Sequence, residues 1–180
     1  MNDIQSLDEI LLLTLRHLMS VWHDKDTGIV ACTIKDSYKI TTATSIKKGS
    51  HWLHAERNAY NKFIKEFNAE PSSEAAFIIT LSPCIKSLKY RSESSCIELI
   101  KRLKINRIHF GVLDTMHSPT IALYESLGLV ATESQAPSLS KMCNKLMSLF
   151  ARYDSRINHE LPVIKKQLGN EFFLPINNKV

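Results

Sequence analysis

Leu7, Leu11, Leu15, Leu18 and Trp22 recur at the three- and four-residue spacing of one helix face. That period predicts an amphipathic helix over residues 7 to about 22. Ser6-Leu7-Asp8-Glu9 has the form of a capping box: the serine accepts from the third amide and Glu9 reaches back. After a turn over Asp24 to Gly28 the pattern changes. Ile29 to Lys35 and Tyr38 to Thr44 are β-rich runs joined by Asp36-Ser37, which predicts a hairpin. Ser45 to Trp52 reads as a polar, basic loop containing Gly49.

A second helix begins near His54, with Ala55, Ala59, Phe63 and Phe67 as its buried stripe and Tyr60 and Ile64 beside it. Pro71-Ser72-Ser73 breaks the chain. Ala75 to Leu81 is nearly continuous apolar sequence, as in a strand covered on both faces. Ser95 to Glu98 has the form of a second capping box and opens a helix through Leu103. Arg107 to Leu113 is a further buried strand. Ser118-Pro119 starts a helix that runs through Leu127 and stops at Gly128, and Leu129 to Thr132 is the last strand. Residues 138 to 153 and 157 to 168 are two more helical stretches, and Phe172-Phe173-Leu174-Pro175 can pack back on the body.

The order α-β-β-α-β-α-β-α-β predicts an α/β fold, a mixed five-stranded sheet sandwiched by helices. There is no internal repeat, low-complexity segment or clear linker. Residues 1–135 are expected to form one domain, with 136–180 as a helical C-terminal extension packed on it.

Composition narrows the class only a little. The chain has 180 residues, enough for one domain with a proper core. No apolar run is long enough to span a membrane. The first residues, with Asn2, Asp3 and Gln5, resemble neither a signal peptide nor a basic transit sequence, so a cytoplasmic protein is expected. The net charge of +5 favours an anionic partner such as a nucleotide, a nucleic acid or a phosphorylated metabolite. A mildly basic solvated surface accounts for it equally well. Nothing points to a disulfide framework among Cys32, Cys84, Cys96 and Cys143. Cys32 sits in an apolar strand pattern as a small buried residue, and Cys143 in a helix pattern has no assigned role.

Chemistry enters with two short motifs. His54-Ala55-Glu56 opens one helix, Pro83-Cys84 follows a strand, and Cys96 opens the next helix. One histidine and two cysteines can bind zinc and leave a fourth position for water. Glu56 stands two residues from His54 and can move protons beside that water. The helix N-terminus at Cys96 favours negative charge and is expected to help keep it a thiolate. This is the donor set of a hydrolytic site, and it fits removal of an amino group from a nucleobase-like ring. The competing reading is a zinc site kept for folding in a non-catalytic partner subunit or binding module.

His54-Ala55-Glu56-Arg57-Asn58-Ala59, with Pro83-Cys84 through Cys96, resembles the zinc-binding motifs of the cytidine deaminase-like superfamily. The resemblance covers roughly residues 5 to 133. It implies a three-layer αβα sandwich, Zn2+ as cofactor, His54, Cys84 and Cys96 as its ligands, and Glu56 as the proton shuttle. It also implies a homo-oligomer that deaminates a cytosine-type pyrimidine nucleoside or nucleotide. Two departures bear on the substrate. Eleven residues separate Cys84 from Cys96, where most branches have two; riboflavin-pathway deaminases also carry a longer loop. Where many members place a substrate-holding asparagine, the chain reads Thr41-Thr42-Ala43-Thr44-Ser45. An aminopyrimidine of the riboflavin pathway and a base within RNA are therefore alternative substrates.

The candidate substrate contacts are Thr44, Ala55, Ser82, Lys86, Arg91 and Asp114. Lys86, Lys89 and Arg91, with Tyr90 between them, can meet a phosphate or a nucleic-acid backbone, or form an ordinary solvated loop. Asp114 and His117 follow the C-terminal end of a strand, where open sheets place ligands. His51 and Trp52 precede the metal helix and are candidates to cover a base. Arg57 reads as a structural residue and His109 as a packed, hydrogen-bonded one.

Overall fold

The computed structural model describes residues 3–21, 26–48, 51–86, 94–114 and 119–152. Eleven elements follow in order: α1 Asp3–Ser20, β1 Thr27–Asp36, β2 Lys39–Lys48, β3 His51–Leu53, α2 Ala55–Phe67, β4 Ala76–Ile79, α3 Cys96–Arg102, β5 Arg107–Phe110, α4 Ile121–Ser126, β6 Val130–Glu133 and α5 Pro137–Arg152. The sheet has the order β3-β2-β1-β4-β5-β6. The pairs β2/β3, β1/β2 and β1/β4 are antiparallel; β4/β5 and β5/β6 are parallel.

Two apolar clusters cover the two faces of this sheet. Ala59 and Phe63 of α2, Leu99 and Ile100 of α3 and Tyr124 of α4 pack with Ile34, Phe77, Ile79, Ile108 and Phe110. On the other face Leu11, Leu15 and Leu18 of α1 and Leu139, Cys143 and Leu146 of α5 pack with Ala31, Ala76 and Ile78. Alternate residues of β4 enter opposite clusters, which is why the segment is apolar throughout. The result is the expected three-layer αβα sandwich.

The sheet has six strands among the described residues, not five. The segment expected as a basic loop continues β2 to Lys48 and then forms β3, pairing Ile46 with Leu53 and Lys47 with Trp52. Its lysines do not oppose this: Lys47 and Lys48 close β2, where Lys47 is half-buried and Lys48 exposed. Helix α1 begins at Asp3, so Ser6 lies inside it rather than capping it. Ile4 is half-buried and extends the apolar stripe by one turn. The second capping box is present: Ser95 accepts from Glu98 N, and the Glu98 carboxylate accepts from Ser95 N. Trp22, Gly49 and the expected helix over 157 to 168 lie outside the described residues.

Candidate active site

His54 occupies the N-cap position of α2 with extended backbone, φ −64 and ψ 149. The chain leaves β3, turns at His54 and enters the helix, which puts the imidazole at the helix mouth. Cys96 is the first residue of α3, fixed by the capping box one residue earlier. Cys84 lies in the loop after β4. His54 Nδ1 is 3.3 Å from Cys96 Sγ and 3.7 Å from Cys84 Sγ. The three donor atoms all lie within 4.8 Å of one another. Nitrogen and sulfur bound to one tetrahedral zinc stand about 3.5 Å apart, so this cluster fits the ion. His54 and Cys84 are half-buried and Cys96 is buried, a placement that leaves one side of the cluster approachable.

Without metal the two thiols are pushed in opposite directions. Its hydrogen bond to Cys84 and its complete burial push the Cys96 thiol far up. The same hydrogen bond, opposed by burial and aided by His54, draws Cys84 down to about 4. The Cys96 amide also donates to Cys84 Sγ at 3.3 Å, a smaller contribution in the same direction. A zinc ion held by both sulfurs would require both as thiolates.

Glu56 sits in the first turn of α2 and is only 3 % exposed. Burial raises its carboxyl above the ordinary range; the His54 charge pulls the other way, and the Cys84 charge adds to the rise. Its carboxyl also hydrogen bonds with the Cys96 side chain. A buried carboxyl held beside a metal-binding cluster, with its proton affinity raised, is placed to accept and return a proton.

The other candidates are placed as follows. Thr44 is buried, and its carbonyl accepts from Asn58 Nδ2 at 2.9 Å, which ties β2 to α2. Ala55 is buried under the helix start. Ser82 is buried and its hydroxyl accepts from Asp114 N at 2.8 Å, which commits one lone pair to the loop itself. Asp114 is buried at the end of the β5 segment, and Lys86 is exposed. Arg91, Lys89, Tyr90 and His117 lie outside the described residues. Trp52 packs against the cluster formed by α1 and α5, away from His54. His109 faces α1 as well: Nε2 is 3.1 Å from Asp8 Oδ1, and Nδ1 is 2.9 Å from Thr132 Oγ1. Arg57 reaches across to Ser94, donating to its carbonyl and, at 2.8 Å, to its hydroxyl. That clamp, which joins α2 to the approach of α3, was invisible in the sequence because its partner lies 37 positions away.

The chain matches the family described as "Cytidine and deoxycytidylate deaminase zinc-binding region" over residues 5–112. No curated protein matches it. Among solved structures it is similar to a diaminohydroxyphosphoribosylaminopyrimidine deaminase/5-amino-6-(5-phosphoribosylamino)uracil reductase from Thermotoga maritima, with TM-score 0.59 and 18% identity over 82% of this chain and 42% of that one. It is also similar to RibD of Acinetobacter baumannii, with TM-score 0.58 and 14% identity over 80% of this chain and 39% of that one. A dCMP deaminase from the cyanophage S-TIM5 aligns at TM-score 0.48 and 15% identity, over 69% of this chain and 97% of that one. The chain thus spans about two fifths of the first two structures. Among the described residues no helix is long and apolar enough to cross a membrane.

Proposed function

The chain belongs to the cytidine and deoxycytidylate deaminase zinc-binding family, and from that premise we propose that it is a zinc-dependent hydrolytic deaminase of a cytosine-type pyrimidine nucleoside or nucleotide. The observation that carries the reading is Glu56, a buried carboxyl in the first turn of the helix that His54 caps, beside the cluster of His54, Cys84 and Cys96. A site that served folding alone has no use for that carboxyl. The ligands in the proposal are His54 Nδ1 and the two sulfurs. Zinc held there lowers the pKa of bound water and so supplies a nucleophile at neutral pH. Glu56 accepts the proton lost by the attacking water and delivers it to the ring nitrogen next to the exocyclic amine. It then takes the proton of the hydroxyl added to the ring carbon and passes it to the departing amino group, so that water and amine become carbonyl and ammonia. Asp114, Ser82, Ala55 and Thr44 are the proposed surroundings of the ring, and Lys86 and Arg91 the groups that meet a phosphate.

One observation favours a second substrate. The eleven residues between Cys84 and Cys96 suit a bulkier aminopyrimidine carrying a phosphoribosyl group, of the kind named for the Thermotoga maritima enzyme. A panel of cytosine, cytidine, deoxycytidine, their monophosphates, the phosphoribosyl aminopyrimidine and a short RNA separates these readings by ammonia release. Zinc retention with no turnover on any of them overturns the enzyme reading.

The proposal extends to organisation. Residues 1–135 form the deaminase domain, and 136–180 an extension to which α5 belongs. The thiols are free, which suits a reducing compartment, and a cytoplasmic location is part of the reading. So is self-association, for which the exposed Leu13 and Val130 are support; sedimentation of a monomer at micromolar concentration removes it.

A further inference from the structure

Pro83 precedes a proposed zinc ligand, and its surroundings are unusual for a loop. It is buried, and having no N–H it offers only its carbonyl for hydrogen bonding. That carbonyl accepts from Tyr124 Oη at 2.8 Å, 41 positions along the chain. Tyr124 is fully buried on α4. Its ring lies 5.9 Å from that of Phe110, and Ile121 and Leu127 at the two ends of the helix pack on the same cluster. A buried phenol needs a partner for its hydroxyl, and here the partner is a backbone atom of the ligand turn.

Three elements hold that turn, and Tyr124 also hydrogen bonds with the Ser82 side chain. Ser82 N donates to Val112 O at 2.9 Å, and Ser82 Oγ accepts from Asp114 N at 2.8 Å, both from the segment after β5. Pro83 is held by α4. Cys84 Sγ accepts from Cys96 N, and Cys84 O accepts from Ile97 N at 3.3 Å, both from α3. The Pro83 carbonyl belongs to the peptide plane that leads into Cys84. Fixing its oxygen fixes the direction from which the Cys84 side chain departs. Releasing it lets that plane rotate and moves the sulfur.

We propose that Tyr124 is a positioning residue for the metal site, setting Cys84 Sγ through the Pro83 carbonyl. The inference rests on the zinc-site reading above and adds a residue outside the stretch of 5–112 that matches the family. Burial raises the phenol above its ordinary value, so it is a hydrogen-bond donor at neutral pH.

The test is Tyr124→Phe in the full chain, which removes the hydroxyl and keeps the ring. Zinc affinity is read by competition with a chromophoric chelator, and ligand geometry by the visible absorption of the cobalt-loaded protein. The expected result is a loss of zinc affinity of about tenfold, with a changed cobalt spectrum. Phe110→Leu, which disturbs the ring neighbour but keeps the hydroxyl, is expected to lower stability without either change. Wild-type affinity and spectrum in Tyr124→Phe overturn the role of Tyr124 and leave the zinc site standing. Wild-type protein that takes up no zinc overturns both. If Tyr124→Phe does not fold, Ser82→Ala releases the same turn from Asp114 N and from the side-chain hydrogen bond with Tyr124. Weakened zinc binding there supports the held turn, and unchanged binding overturns it.

Discussion

The backbone amide of Cys96 donates to Sγ of Cys84 at 3.3 Å, across a segment of eleven residues. The contact joins the start of α3 to the loop after β4 and adds to the larger effects of the Cys96 thiol and His54 in lowering the Cys84 pKa. Both sulfurs are then required to hold zinc. Cys84→Ala and Cys96→Ala are each expected to fall from about one zinc per chain to a trace after dialysis against a chelator. Cys32→Ala, in the core and outside the cluster, keeps its zinc. Metal analysis of the four proteins checks this, and full zinc content in either ligand variant counts against the site.

Ser95 links helix formation to the metal site. Its hydroxyl accepts from Glu98 N at 3.2 Å, and its own amide donates to the Glu98 carboxylate at 2.6 Å. Ser95→Ala removes half of that exchange and is expected to cost about 1 kcal/mol in chemical denaturation. Because the cap sets the start of α3 and so the place of Cys96, zinc affinity should fall with it. Ser95→Asp, which can still cap, restores both.

Much of this arrangement was legible in the chain. Alternation and helical spacing identified the layers, since both report burial directly. The grouping of His54, Cys84 and Cys96 followed from short motifs at element boundaries, and the three do meet. What failed depended on distant partners. Strand β3 exists because Leu53 finds Ile46, and nothing within residues 51–53 announces it. That the first amide of α3 also reaches Cys84 was not legible, because sequence says where a helix starts but not where its first amide points. Tyr124 looked like one more buried helical residue, for its role comes from a carbonyl 41 positions earlier.

His109 ties the far face of the sheet to α1. It is completely buried, and Asp8 Oδ1 stands 3.1 Å from its Nε2. Asp8→Ala takes that acceptor from a buried donor and is expected to destabilise the protein by about 1–3 kcal/mol. Zinc content should not change, because α1 lies across the sheet from the metal cluster. A variant as stable as wild type in urea denaturation would refute the assignment.

Asp36 gives stability a dependence on pH. Burial opposes its ionisation, but hydrogen bonds from the Ser72 hydroxyl and amide, with Lys39 and Lys35 nearby, outweigh it and lower its pKa. The folded value thus lies below the unfolded one. The stabilisation is complete above the unfolded value, near 4, and disappears as pH falls through the folded value. Asp36→Ala should therefore cost about 1–2 kcal/mol at pH 7, and its deficit against wild type should close in acid. A deficit that is constant with pH contradicts the linkage.

The account stands most directly on Glu56. Ammonia release by zinc-loaded wild-type protein is to be compared with Glu56→Gln across the pyrimidine nucleosides and nucleotides, with zinc content measured in the same samples. The predicted result is turnover of a cytosine-type substrate by wild type, and a fall of about 10²–10⁴-fold in kcat for Glu56→Gln at unchanged zinc content. Equal turnover by the two zinc-loaded proteins, or none by wild type, would contradict it.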